Sequence, residues 1–201
     1  VGTADAATVF QDSFEGTQIG SNWNVYETFG TWVTTHGAGI EVQRSGTVVN
    51  AADGNQYIEL DSDEQVTPRD PIHGSNSAMA TLIDLVAGQV YEVSFAYRPR
   101  TNNTNDNGVA VSIGQLAGDV FTETQALGSA DARRSVQNAW QTVRFVFTAM
   151  QGDNALQFAA FGTENELGGF IDAVEVSSVP VPAAALLFAT GAGFFARRRR
   201  T

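Results

Sequence analysis

The stretch Val90–Arg98, VYEVSFAYR, constrains this chain more than any other. Tyr91, Val93, Phe95 and Tyr97 fall on one side of a two-residue period, with Glu92, Ser94, Ala96 and Arg98 on the other. That period belongs to a strand with one dry face and one wet face. The same alternation recurs at Val109, Val111 and Ile113, at Val143, Phe145 and Phe147, and at Leu156, Phe158 and Ala160. Strands are also expected at Phe10–Glu15, Gly30–Thr35, Ile40–Arg44, Gln56–Asp61 and Phe170–Val176. Gly, Asn, Asp and Pro fill the gaps, notably Asp61–Asn76 and Thr101–Gly108. No long helical period precedes the C-terminal tail, and only Ala126–Val136 reads as a short helix. Many short strands at close spacing predict an all-β sandwich over residues 8–178.

Charge narrows the class of partner. The chain has 201 residues and a net charge of −11, with no cysteine. All 22 acidic residues precede Val179, where they face only seven arginines. A polyanion is repelled by such a body, so nucleic acid is not an expected partner. Without a disulfide framework, stability has to come from packing and from any bound metal. Residues 1–7 contain Ala4-Asp5-Ala6, which reads as the remnant of a cleaved export signal or a disordered start.

The last 23 residues, 179–201, have a different character. Val179, Pro180, Val181, Pro182 and Ala183 open the segment. A 14-residue apolar run, Ala183 to Ala196, comes next, and Arg197, Arg198, Arg199 and Arg200 close it. As a helix the run is about 21 Å long at roughly 1.5 Å per residue, short against a hydrocarbon core of about 30 Å. The arginines would hold their end on the cytoplasmic side. The order and spacing resemble the PEP-CTERM class of bacterial sorting signals in its Val-Pro-x-Pro-Ala variant. That resemblance implies transient insertion in the inner membrane, processing by an enzyme of the exosortase type, and an envelope or extracellular destination. A plain C-terminal membrane anchor is the alternative.

The body resembles a family too. Phe14-Glu15, Gly39–Gln43 (GIEVQ), Gln56–Ser62 (QYIELDS), Asn76–Met79 (NSAM), Ala87–Arg100 (AGQVYEVSFAYRPR) and Gly168–Val174 (GGFIDAV) carry the likeness. Together they are similar to the galactose-binding-like jelly-roll domains of bacterial exported proteins, relatives of many carbohydrate-binding modules. The expected fold is thus all-β, a single antiparallel jelly-roll β-sandwich followed by a short C-terminal apolar helix. The segment Asp63–Gly74 departs from the pattern as an insertion. The resemblance implies a polysaccharide or glycan partner and a structural calcium ion (Ca2+), with Glu15 and Asp172 as its carboxylate ligands. Period-2 spacing independently places Asp172 with Phe170, Val174 and Val176, a carboxylate among apolar neighbours that needs a cation or several N–H donors. Asp12 and Asp53 are further acidic residues with no better claim. For the sugar, Trp32, His36, Tyr57, Arg98, Arg100 and Asn105 are the candidates, aromatic faces for stacking and polar groups for hydroxyls. The competing reading gives Trp23, Trp32 and Trp140 to core or rim packing, pairs Arg98 and Arg100 with carboxylates, and leaves Asn102–Asn107 as a solvated loop.

Catalysis is not expected. His36 and His73 are the only histidines, and no Gly-x-Ser-x-Gly elbow or phosphate-cradling loop occurs. Glu59 with Asp61, and Glu164 with Glu166, have the spacing of paired carboxylates, but such pairs are usually solvated or metal-directed. Two readings stand: a non-catalytic glycan binder at the envelope or in extracellular polysaccharide, and a structural or adhesive biofilm-matrix protein without specific sugar binding.

Overall fold

The computed structural model describes residues 6–63, 74–134 and 139–180. The sorting-signal residues Val181, Pro182, Ala183 and Arg197–Arg200, the expected tail helix, His73 and most of the Asp63–Gly74 insertion lie outside them. Thirteen strands form in chain order: β1 Thr8–Asp12, β2 Trp23–Tyr26, β3 Thr28–Phe29, β4 Trp32–His36, β5 Ile40–Arg44, β6 Gln56–Glu59 and β7 Ala78–Leu82. Then come β8 Val90–Pro99, β9 Gly108–Ala117, β10 Val120–Ala130, β11 Gln141–Thr148, β12 Ala155–Phe161 and β13 Gly169–Ser178. One sheet, A, has the order β11-β8-β13-β6-β5-β2 with β1 on β13; the other, B, runs β10-β9-β12-β7-β4-β3. All these ladders are antiparallel. The two sheets make the jelly-roll sandwich.

The alternation of β8 is realised as read: Tyr91, Val93, Phe95 and Tyr97 are all buried between the sheets. Phe95 meets Phe158 of sheet B edge-on at 4.9 Å, and Trp32 packs on Phe10, Phe14 and Phe158 at 5.7–6.0 Å. Two expectations are corrected. Residues 126–130 are not helical but continue β10, and only Ala132–Arg134 forms a 3-10 turn, residues 135–136 lying outside the described set. The first strand ends at Asp12 rather than reaching Glu15, because the chain turns at Phe14, whose φ is 63°.

A third correction matters for the sites. The register of β13 on β8 slips between Asp172 and Glu175, with Ala173 in left-handed backbone at φ 48°. The extra residue reverses the facing of the strand beyond it. Val174 and Val176 therefore enter the core, while Phe170 and Asp172 lie opposite Arg98 and Ala96 on the outer face of sheet A. Strict alternation had put all four on one side.

Strand directions give the sandwich two ends. The turns 83–89, 118–119 and 149–154 gather at one end, where Val179 donates to the Val90 carbonyl at 2.9 Å and the chain leaves toward residue 181. The loops 60–63, 100–107 and 162–168 gather at the other end, together with the start of β13.

Candidate functional site

The outer face of sheet A carries a polar row built by register. Val25 lies opposite Glu41, Glu41 opposite Glu59, Glu59 opposite Phe170, and Phe170 opposite Arg98. The adjacent row sets Trp23 against Gln43 and Gln43 against Tyr57. Ile40, Val42 and Ile58 take the inner face, so the same alternation that fills the core presents these polar groups outward.

They do not face water freely. Glu41, Gln43, Tyr57 and Glu59 are buried beneath neighbouring loops and joined in one network. The Val48 and Val49 N–H groups donate to Tyr57 Oη at 3.2 and 3.1 Å, and Tyr57 Oη donates to Gln43 Oε1 at 2.8 Å. Gln43 Nε2 donates to Glu41 Oε1 at 2.7 Å and to Glu59 Oε2 at 2.6 Å. Arg100 Nη1 bridges both Glu59 oxygens at 2.9 and 2.7 Å and the Glu166 carbonyl at 2.9 Å. Asp63 N–H closes on Glu41 Oε2 at 3.0 Å. Burial pushes both glutamates above the usual carboxylate range, Glu59 well above it, with Glu41 adding repulsion and Arg100 opposing it.

Above this floor opens a cleft of about 170 Å³ lined by Trp23, Glu41, Gln43, Thr47, Val48, Asp63, Arg100 and Glu166. It is smaller than the roughly 300–1,000 Å³ of drug-sized sites and suits a single ring. Trp23 is half-buried at its rim, and no described residue hydrogen-bonds its indole N–H. Glu166 holds left-handed backbone at φ 61° while its carbonyl is fixed by Arg100. Network bonds fix the orientation of every polar group on the floor, so a ligand would meet donors and acceptors already in place.

The sequence candidates separate. Tyr57 and Arg100 come together in the floor of the cleft, Tyr57 as a buried hydroxyl relay rather than an open platform. Trp32 is 1% exposed and donates from Nε1 to Asp12 Oδ2 at 2.9 Å, so neither ring face reaches solvent. His36 is exposed at the end of β4 in sheet B, away from the cleft. Asn105 is exposed in the 101–107 loop, its N–H bound to Asn103 Oδ1 and its carbonyl to Thr163 N–H. Arg98 lies on the outer face of β8, which ends one residue before Arg100, and its Nε is sealed from solvent without an acceptor among the described residues. Trp23, Glu41 and Gln43 went unremarked as site residues, and Glu166 was considered only as a paired carboxylate with Glu164. The alternations IEVQ and QYIE signal outward polar pairs, but only the register of β5 on β6 sets Glu41 against Glu59.

Glu15 and Asp172 meet at a second place, the loop 51–56. Asp172 Oδ2 accepts N–H from Ala52 and Asp53 at 2.8 and 2.9 Å, and Oδ1 accepts from Ala173 at 2.6 Å. Glu15 Oε1 accepts from Asn55 and Gln56, both at 2.7 Å. The carboxylate passes so close to Gly54 that a Cβ there would sit 2.6 Å from Oε1. Burial raises Asp172 to about 6 against the lowering effect of its three N–H donors. Desolvation thus outweighs the three N–H donors at this carboxylate. Beside it lies an open cleft of about 320 Å³ whose lining includes Asp12, Glu15, Asp53 and Glu175. No group of three or more His, Cys, Asp or Glu side chains placed to hold a metal occurs among the described residues; calcium, with its loose oxygen geometry, would need further oxygen donors beside Glu15 and Asp172.

Of the carboxylate-pair candidates, Glu59 and Asp61 are engaged elsewhere. Glu59 is paired to Arg100, and Asp61 accepts from Ser75 Oγ and from the N–H groups of Asn165 and Leu167.

No protein-family model matches the chain. Over 150 residues, 73% of its length, it is 31% identical to a multifunctional-autoprocessing repeats-in-toxin of Vibrio vulnificus, and 27% identical to the toxin of that name from Vibrio cholerae. It spans only 2% and 3% of those two proteins. Among solved structures, a cyclase from Fischerella sp. TAU superposes with TM-score 0.55 at 14% identity, covering 89% of this chain and 100% of that one. The K1 cleaved adhesin domain of Lys-gingipain from Porphyromonas gingivalis W83 gives 0.52 at 15%, over 86% and 98%. The C-terminal family 22 carbohydrate binding module of Clostridium thermocellum Xyn10B gives 0.50 at 12%, over 86% and 94%. At these identities the likeness is one of fold, a jelly roll that binding modules, adhesin domains and a cyclase all use.

Proposed function

We propose that this chain is a non-catalytic, exported glycan-binding module, and that the cleft over Glu41, Gln43 and Glu59 is its sugar site. The single observation that carries the reading is the pairing of Trp23 at the rim with a floor of polar groups already fixed by hydrogen bonds. A pyranose presents an apolar C–H face and a polar hydroxyl edge. Trp23 suits the first, and Arg100, Glu41 and Gln43 suit the second without reorganisation. Carbohydrate binding and adhesion among proteins of the same fold agree with it.

Glu15 and Asp172 would hold a structural calcium ion with carbonyls of the 51–56 loop. The ion would supply stability, fixing that loop. The tail would act as a sorting signal, inserted in the inner membrane until an exosortase-type enzyme processes it near Val179–Pro182. A mature envelope protein ending in Arg197–Arg200 by mass spectrometry would leave a plain anchor instead. Affinity electrophoresis tests the function: the protein is run through gels containing single polysaccharides, beside Trp23→Ala. Retardation by one polymer and its loss in the variant are expected. Free migration of the folded protein through every gel favours the second reading, an adhesive or structural matrix protein, which the adhesin-domain likeness keeps in view.

A further inference from the structure

Large exposed apolar side chains are few among the described residues, and they are not scattered evenly. Of the seven, four stand at one end of the sandwich: Leu82 at 60%, Val86 at 63%, Val120 at 63% and Met150 at 44% exposed. They come from four separate places in the chain. Leu82 ends β7, Val86 lies in the β7–β8 turn, Val120 opens β10 and Met150 comes after β11. Hydrogen bonds lock three of these segments together: Gly88 N–H to the Ala149 carbonyl at 2.8 Å, Ala149 N–H to Gln89 at 3.0 Å, and Ile83 N–H to Asn154 at 2.8 Å. Phe161 is at the opposite end beside Gly108, Val48 lines the sugar cleft, and Val146 lies on the flank in β11.

This apolar end is also where the chain departs. Ser178 pairs with Tyr91 at the start of β8, and Val179 is bonded to Val90. The apolar run of the tail begins at Ala183. Five residues of fully extended chain reach at most about 17 Å, so the run starts within that distance of the end of β13. A bilayer is roughly 40–45 Å thick including headgroups, around a core of about 30 Å. Its headgroup layer is therefore thinner than the reach of the connector.

We propose that this end of the sandwich rests on the lipid bilayer that receives the tail, with Leu82, Val86, Val120 and Met150 in the headgroup layer. The inference rests on the reading of the tail as a membrane-inserting segment. It places the sugar cleft, built near the start of β13, at the end of the molecule that points away from the membrane. Asp84 and Asp119 sit at the membrane end, so the surface suited to it is zwitterionic rather than anionic.

The native chain has no cysteine, which allows single fluorophores to be placed by Val86→Cys, Val120→Cys, Met150→Cys, Ala189→Cys in the tail, and Phe161→Cys at the far end. Each full-length variant is mixed with phosphatidylcholine vesicles that carry a headgroup-depth spin-label quencher. The expected result is strong quenching at positions 86, 120, 150 and 189, and fluorescence at 161 unchanged from vesicles without quencher. Quenching at 189 with 86, 120 and 150 no more affected than 161 overturns the placement and leaves the anchor intact. No quenching at any position, with the chain free of the vesicles, overturns the anchor and the placement together.

Discussion

Arg98 lies near the end of β8 and Arg100 just past it, yet their surroundings differ. Arg100 neutralises Glu59, whose side chain is wholly buried. Removing it leaves an uncompensated carboxylate, so Arg100→Ala is expected to cost roughly 3–5 kcal/mol in denaturant unfolding. Arg98 has no acceptor for its Nε, and Arg98→Ala should change stability by less than about 0.5 kcal/mol. The tryptophans divide similarly. Trp32→Ala opens a cavity in the core and should cost about 3–5 kcal/mol. Trp23→Ala should leave folding intact and weaken glycan binding about tenfold, close to 1.4 kcal/mol. Glu41 and Glu59 have folded pKa values raised by burial above the unfolded value of about 4.3. The folded state then holds protons that the unfolded state has released. The contribution of this pair to stability is greatest below about pH 4.3 and is lost as pH rises through the folded values. Carboxyl-carbon NMR should show at least one of the two titrating above the ordinary glutamate range; normal titration of both would contradict the network.

The bulge in β13 is the element that organises the Asp172 site. It turns Val174 and Val176 inward and leaves Asp172 outside, under the 51–56 loop, at the expense of left-handed backbone at Ala173. Ala173→Gly should therefore leave stability unchanged or raise it by up to about 1 kcal/mol, whereas Ala173→Val should lower it by roughly 1–3 kcal/mol. Most of the strands were legible in the sequence because alternation is a local signal: Ile40–Arg44 is a strand with the bounds read from it, and β8 extends its expected stretch by one residue. The bulge was not, since one extra residue does not alter composition and shows only against a partner strand. Nor was the cleft, because Glu41 and Glu59 are 18 positions apart in the chain and meet only through the register of β5 on β6. Trp23 reads as packing from the sequence for the same reason: nothing local says that β2 is the edge of sheet A. The 126–136 stretch misled because LGSADARR lacks alternation, yet Ala126–Ala130 continues an 11-residue strand with register shifts on β9.

At the scale of the whole molecule, the sandwich has one end near the cleft proposed to take a sugar and an apolar end where the tail departs. The calcium reading is also global, because Glu15 and Asp172 tie β13 and the chain after β1 to one loop. Calcium at a hundredfold excess over its Kd should add about 2.7 kcal/mol, a rise of roughly 5–10 °C in Tm for a domain of this size. EDTA should reverse that rise, and Asp172→Ala should abolish it. A melting curve indifferent to calcium would leave the two carboxylates as acceptors for the loop alone.

The central claim, a glycan held against Trp23, has a direct spectroscopic test. The chain contains three tryptophans: one in the core, one with its indole N–H bound to the Asn50 carbonyl, and one at the rim of the cleft. Their indole N–H signals in a nitrogen-15 spectrum can be followed while the polysaccharide retained in affinity gels is titrated in. The account predicts a progressive shift of the Trp23 signal with Trp32 unmoved. A bound glycan that leaves Trp23 unchanged would contradict it.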